Sequence, residues 1–323
     1  MIDDVKNYVE IMKSLDVRQM VLQGPPGTSK TYSAKEIIKA YLTNSLENEI
    51  VKKDSEGNWT GHWDMVQFHP SYGYEDFVRG ITVTTENQQI KYETVNKIFG
   101  KMCGAASANK SEKFFLLIDE INRADIATVF GELIYALEYR EESVEVPYEL
   151  EKGDNPSKIS VPDNLYIIAT MNTADKSVGN IDYAIRRRFL FFDLLPDENV
   201  IRKNRGLEKG INDIVINTFK GINKFIEDAT KESQYRANDF KIGHTYFLNC
   251  KDDQEGNQKF LYKMQYQVLP ILREYYIDGI IKIYNQNEYE SLNKYLNGED
   301  LDEKLLKEII TEFLNKGEKD IIQ

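Results

Sequence analysis

The chain has 323 residues, 41% hydrophobic and 29% charged, a balance that suits a globular protein of one large or two ordinary domains. Its net charge of −12 argues on bulk electrostatics against a nucleic-acid binder, leaving only a local basic patch for such a role. No apolar run is long enough for a bilayer, the start lacks the cationic and apolar regions of a secretory signal, and Cys103 and Cys250 lie too far apart for a disulfide framework. These features point to a reducing cytosol, no membrane, and two buried thiols.

In chain order, residues 1–16 have the pattern of an acidic amphipathic helix, and residues 19–23 form an apolar strand candidate. Directly after it comes GPPGTSKT, residues 24–31, and then a helical stretch over 31–46 with Tyr32 in its first turn. Strand, glycine loop, Lys-Thr and helix in that order are what a nucleoside-triphosphate pocket needs. In the loop Gly24, Pro25, Pro26, Gly27, Thr28 and Ser29, the glycines let backbone N–H groups curl around phosphate oxygens, and the positive end of the following helix points at the anion. Lys30 would reach the β- and γ-phosphates and the Thr31 hydroxyl would hold Mg²⁺. A Pro/Gly-rich surface turn explains Pro25, Pro26 and Gly27 but not the Lys-Thr pair. Ser29 stands where the strict pattern has glycine, and the loop is expected to survive if Ser29 keeps φ below zero.

A polar loop over 52–58 precedes a second strand candidate at 65–68 and the aromatic-rich segment from Gln67 to Phe77, which reads equally as core aromatics or as something functional. Residues 81–92 alternate around Glu86-Asn87 and read as a β-hairpin, followed by a helix over 95–102. Residues 114–118 are five consecutive apolar positions ending in Asp119 and Glu120. Ligands of an open α/β sheet sit beyond the carboxyl ends of its strands, so these acids point toward the phosphate loop. Asp119 suits Mg²⁺ held through water, and Glu120 suits the polarising of an attacking water. Acids at an ordinary helix N-terminus are the plainer explanation, which the apolar run and the upstream loop make weaker.

A helix over 126–139 and a second hairpin over 143–161, turning at Gly153 to Pro156, lead to another buried strand at 165–170. This strand delivers Asn172 to the same edge, where an amide can bond the γ-phosphate or the water; Asp175 follows, and a helix cap is the alternative for either. Arg186, Arg187 and Arg188 close a helix over 181–188. They fan out by ~100° each, so all three cannot serve one partner. One is expected to pair with an acid and another to project outward, where it neutralises charge in a neighbour's pocket, unless the three form a solvated basic patch. Arg123 is a further interface candidate. A strand at 189–193 ends the alternating part, and helical patterns at 211–230, 258–284 and 301–314 follow. His244 lies in an aromatic setting where a core histidine is the default. His62, His69 and His244 have no metal spacing. The fold class is therefore α/β, a parallel sheet flanked by helices, with a helical C-terminal unit.

Five blocks in this order, GPPGTSKT (24–31), VQFHPSYGYEDFVRG (66–80), FFLLIDEINRADIATVFGELIYALE (114–138), NLYIIATMNTADKSVGNIDYAIRRRF (164–189) and FKIGHTYF (240–247), resemble the McrB-type AAA+ P-loop NTPases of McrBC-like modification-dependent restriction systems. The resemblance implies a nucleotide-binding domain over 1–195, a helical lid over 196–323, and a hexameric ring with nucleotide at each subunit interface. It makes Lys30 and Thr31 Walker A, Asp119 and Glu120 Walker B, and Asn172 sensor 1, with Asp175 in the same block. Arg123, Arg187 and Arg188 match arginines that complete the pocket in cis or from a neighbour, and His244 falls in the lid near the nucleotide. It implies Mg²⁺ with GTP or ATP, GTP by family association, although no guanine-reading Asn-Lys-x-Asp element is present; Asn109-Lys110-Ser111-Glu112 comes nearest. It also implies a McrC-like nuclease partner, and DNA reached indirectly or through another domain or subunit: the few residues ahead of the loop make this either a motor fragment or a chain whose DNA recognition lies in another polypeptide. A MoxR-like ATP-dependent remodelling chaperone, or a ring scaffold with little intrinsic hydrolysis, are the competing readings.

Overall fold

The computed structural model describes residues 2–43, 62–86, 88–151, 156–175, 181–208, 213–284 and 287–319. The 52–58 loop, the Asn87 tip, the Gly153–Asn155 part of the second turn and the end of the helix expected to reach residue 46 lie outside them. Among the described residues no helix is long and apolar enough to cross a membrane. The chain divides into two units: Met1–Gln23 with Lys30–Asp193, and Gly24–Ser29 with Leu194–Gln323.

The first unit is built on a five-stranded sheet. Its strands are β1 (Gln19–Gly24), β2 (Trp63–Gln67), β5 (Phe114–Asp119), β8 (Leu165–Asn172) and β9 (Leu190–Asp193), in the order β2-β5-β8-β1-β9. Parallel registers place Gln67 beside Asp119, Ile118 beside Ala169 and Gln23 beside Asp193, so the polar residues that end each strand gather along one edge. The interiors of β5 and β8 are buried throughout, as central strands covered on both faces require, which is why both read as unbroken apolar runs. All five strands expected from the sequence are present.

Helices flank the sheet at Ile2–Ser14, Lys30–Thr43 and Ile98–Ala108. The hairpin strands β3 (Arg79–Glu86) and β4 (Gln89–Asn96) pair antiparallel, as do β6 (Ser143–Glu145) and β7 (Lys158–Ser160). Strand β4 runs on to Asn96, so the helix expected from residue 95 starts only at Ile98. The helix expected over 126–139 is two pieces, Ile126–Phe130 and Leu133–Glu138, because Gly131 between them adopts φ 49. The segment from Gln67 to Phe77 turns out to supply core. Phe77 is fully buried against Phe68, Phe99 and Phe130, and Tyr72 stacks on Phe68 at 4.8 Å. Each such phenyl ring contributes roughly 1.5–3 kcal/mol by leaving water. Cys103 and Cys250 are buried free thiols, and burial pushes Cys103 up to about 12.

The second unit is helical. Its longest members are Ile214–Ala229 and Glu303–Lys319, joined by apolar faces that bring Phe225 and Phe313 to 6.0 Å. The long helix expected over 258–284 is instead Gln254–Lys263, a π-helical turn Met264–Val268, and Leu269–Ile277. Pro270 is the physical reason: it lacks the N–H for the regular ladder and its ring crowds the preceding turn, so the register widens just before it.

Candidate active site

Asp119 ends β5 and Thr31 lies in the first turn of Lys30–Thr43. The Thr31 hydroxyl donates to Asp119 Oδ1 at 2.7 Å, so the two are already drawn together. A second hydroxyl, on Thr170 of the neighbouring β8, donates to the same oxygen at 2.6 Å and accepts from the Glu120 N–H at 3.1 Å. One threonine therefore fixes both acids. No group of three or more His, Cys, Asp or Glu with metal-site geometry occurs among the described residues. A hydroxyl beside a single carboxylate is instead the hard-oxygen donor pair that Mg²⁺ accepts when phosphates and water complete its shell.

Glu120 sits in the left-handed region at φ 54, a strain of roughly 1–3 kcal/mol that packing must hold. Its Oε2 is buried and has no hydrogen-bond partner among the described residues. Burial raises the Glu120 carboxyl above its usual range, and nearby Lys30 opposes that rise. Lys30 is itself buried, which lowers its ammonium to about 8 despite the attraction of Glu120 and Asp119. This unit thus places a buried lysine and a half-buried glutamate within electrostatic reach of each other.

Asn172 ends β8 with its Oδ1 accepting from the Ala174 N–H at 3.3 Å. Its backbone carbonyl is held by buried Asn122, whose Nδ2 donates at 3.1 Å and whose Oδ1 has no partner among the described residues. Arg123 reaches Asp175 at 3.3 Å. The three arginines do not share one partner, although two of them meet at Glu138. Arg186 lies over the Phe191 ring at 5.0 Å. Arg188 turns inward to Glu138 and donates to the Ala184 carbonyl at 2.7 Å, while Arg187 is two-thirds exposed (66%) and touches Glu138 only at 3.3 Å. Tyr32 is more than half exposed (56%).

In the second unit the loop Gly24–Ser29 is clamped by the segment around His244. The Gly243 N–H donates to the Pro26 carbonyl at 3.1 Å and the Thr245 N–H to the Gly27 carbonyl at 3.0 Å. A Cβ on Gly243 would lie 2.0 Å from the Gly27 carbonyl carbon, so only glycine permits this backbone approach. Thr28 closes the loop from within by donating to the Pro25 carbonyl at 3.0 Å. Ser29 corrects the sequence expectation: its φ is 62, not below zero, so it occupies the conformation that favours glycine, at roughly 1–2 kcal/mol. Its hydroxyl lies 3.0 Å from His244 Nε2. His244 Nδ1 accepts from the Asp197 N–H at 3.2 Å. Both ring nitrogens are thus engaged within the protein, and burial pushes the imidazole down to about 4, keeping it neutral.

Sequence reasoning missed Thr170 and Asn122. The signals were a hydroxyl within an otherwise apolar strand, and an amide two positions past the acids. Thr170→Val is expected to lose about 1–3 kcal/mol of stability, because the Glu120 N–H is left unpaired; urea denaturation measures it.

Residues 19–189 match the AAA domain of the dynein-related subfamily, and residues 215–284 match the McrB alpha-helical lid domain. This chain belongs to the McrB-like AAA family. It is 34% identical over 279 residues to the type IV methyl-directed restriction enzyme EcoKMcrB subunit of Escherichia coli K12, covering 84% of this chain and 57% of that protein. It is 28% identical over 207 residues to the type II restriction enzyme BsuMI component YdiS of Bacillus subtilis 168, covering 54% of this chain and 56% of that one. The chain therefore matches little more than half the length of either relative. Its fold is that of an AAA domain with a parallel sheet flanked by helices and a McrB-type helical lid.

Proposed function

We propose that the chain is a Mg²⁺-dependent, GTP-preferring nucleoside triphosphatase, the motor subunit of a McrBC-like restriction system. Residues 1–195 form its nucleotide-binding domain and residues 196–323 its lid. The observation that carries the reading is the convergence of the Thr31 and Thr170 hydroxyls on Asp119, with buried Lys30 and half-buried Glu120 close by.

In this reading the backbone of residues 24–29 and the Lys30 ammonium receive the triphosphate, in a setting where desolvation strengthens each contact. Thr31 and Asp119 would hold Mg²⁺, which supplies charge neutralisation across the β- and γ-phosphates when bound. Glu120 accepts a hydrogen bond from the attacking water through its unpartnered Oε2 and aligns it. Asn172 steadies the water or the γ-phosphate, and Asn122 steadies Asn172. Arg187 serves the pocket of the next copy in a hexameric ring, and Arg123 with Asp175 shapes the same edge. Both curated relatives are restriction-enzyme components, which supports a McrC-like nuclease partner and an indirect route to DNA. The chain's own charge of −12 gives no reason to assign DNA binding to this part.

The test is GTP and ATP hydrolysis by the purified chain with Mg²⁺ and with EDTA, together with sedimentation in the presence of nucleotide. Lys30→Ala is expected to weaken triphosphate binding about 100-fold or more, because a buried ammonium facing phosphate is lost. Unchanged binding by that variant, or no hydrolysis of either nucleotide with or without a nuclease partner, overturns the assignment.

A further inference from the structure

Position 29 is where a phosphate loop gains most from glycine, since the backbone there is left-handed at φ 62. A serine retained in that conformation offers one thing that glycine lacks, its hydroxyl. The direction of the bonds around it follows from a donor that cannot accept. The Asp197 backbone N–H can only donate, so His244 Nδ1 must present its lone pair. A neutral imidazole then carries its proton on Nε2, and Nε2–H donates to Ser29 Oγ across 3.0 Å. The hydroxyl oxygen is thereby occupied as an acceptor, and no protein group accepts its own proton among the described residues.

We propose that the Ser29 hydroxyl is an additional donor to a phosphate oxygen of the bound nucleoside triphosphate, and that His244 is its positioning residue. The inference rests on the nucleotide reading above. Three features favour it. Ser29 stands between Gly27 and Lys30, within the loop to which that reading assigns the phosphates. Donation into Oγ polarises the hydroxyl and strengthens it as a donor in its turn. The imidazole is also held fast, because Gly243 and Thr245 on either side of it bond to the Pro26 and Gly27 carbonyls of the same loop. In this arrangement His244 does not touch nucleotide. It acts through Ser29, and it ties the loop to Asp197, the residue that caps the helix Glu198–Arg205.

The experiment titrates the full chain in Mg²⁺ with fluorescent N-methylanthraniloyl GTP and ATP, in wild type, S29G, H244N, H244Q, S29G/H244N and Lys30→Ala. S29G is expected to bind about tenfold more weakly, the usual worth of a hydrogen bond to a charged group. H244N keeps an acceptor near Nδ1 but loses the reach to Ser29, so it weakens binding to a similar degree. H244Q places an amide N–H near the Nε2 position and recovers most of the loss. The double variant is expected to bind no more weakly than S29G, because His244 has nothing left to orient.

S29G binding as tightly as wild type, or more tightly, overturns the proposal, since relieving backbone strain would then be the only effect. H244N weakening binding as much in the S29G background as alone also overturns it, marking His244 as a structural residue. If Lys30→Ala abolishes binding while S29G and H244N match wild type, this inference alone fails. If wild type itself binds neither nucleotide, the nucleotide reading fails with it. Should H244N unfold, which thermal melting of the apo protein reports, the comparison of S29G with wild type decides the matter.

Discussion

Glu120→Gln is expected to bind triphosphate as wild type does and to turn it over about 10²–10⁴ times more slowly. The substitution is nearly isosteric, so the left-handed backbone at φ 54 and the bond from the Glu120 N–H to Thr170 at 3.1 Å both persist. What disappears is the negative oxygen. Glu120 Oε2 is buried with no partner among the described residues, an expense that selection tolerates where a transient partner completes the site. Burial raises the carboxyl's proton affinity and Lys30 opposes that rise, which leaves it more basic than an exposed carboxylate. Equilibrium binding of a slowly hydrolysed triphosphate, set beside single-turnover hydrolysis, separates the two effects. Turnover at the wild-type rate would remove Glu120 from the reaction, and loss of binding would recast it as part of the cradle.

The sheet was legible because each central strand is buried on both faces and must be apolar end to end, so the polar residue that ends it stands out. Asp119 and Asn172 were found in that way, and the parallel registers bring them to one edge. Local pattern failed where the cause was a single residue acting against its neighbours. Gly131 divides one helix and Pro270 shifts another into a π turn, yet the apolar period continues across both. One-turn helices such as Tyr74–Phe77 and Ala237–Phe240 are too short to show any period.

The supports of the site were hidden for a different reason. Thr170 serves residues 50 and 51 positions before it, Asn122 serves one 50 positions later, and Ser29 meets His244 at a separation of 215. No sequence window contains such pairs; only the order of the strands and the folding of the helical unit bring them together. Ser29 shows the further point that a substitution can be tolerable for another reason than the expected one. Its small size would have mattered at negative φ, whereas at φ 62 its hydroxyl bond to His244 is what sets it apart from glycine.

Arg187→Ala is expected to melt as wild type does and to lose roughly 10³-fold or more in turnover, the scale of arginines supplied in trans to triphosphate pockets in other systems. Its neighbour should do the reverse. Arg188 is nearly buried (8% exposed), anchored on Glu138 and on the Ala184 carbonyl at 2.7 Å, so Arg188→Ala strips two partners and costs about 1–2 kcal/mol of stability. Among the described residues Arg187 pairs with an exposed Glu138 at 3.3 Å, the kind of surface pair worth ~0–1 kcal/mol, and its guanidinium can leave it at little cost. In the proposed ring, a residue that contributes little to its own subunit is the one available to the next. Mixing distinguishes the two arginines further. Arg187→Ala copies hold an intact pocket but lack the arginine, while Lys30→Ala copies lack the pocket but carry the arginine, so mixed rings should recover hydrolysis that neither variant shows alone. Recovery would place Arg187 in trans. Wild-type turnover by Arg187→Ala would exclude it from the reaction, and a turnover defect in Arg188→Ala with unchanged melting would transfer the role one residue along the chain.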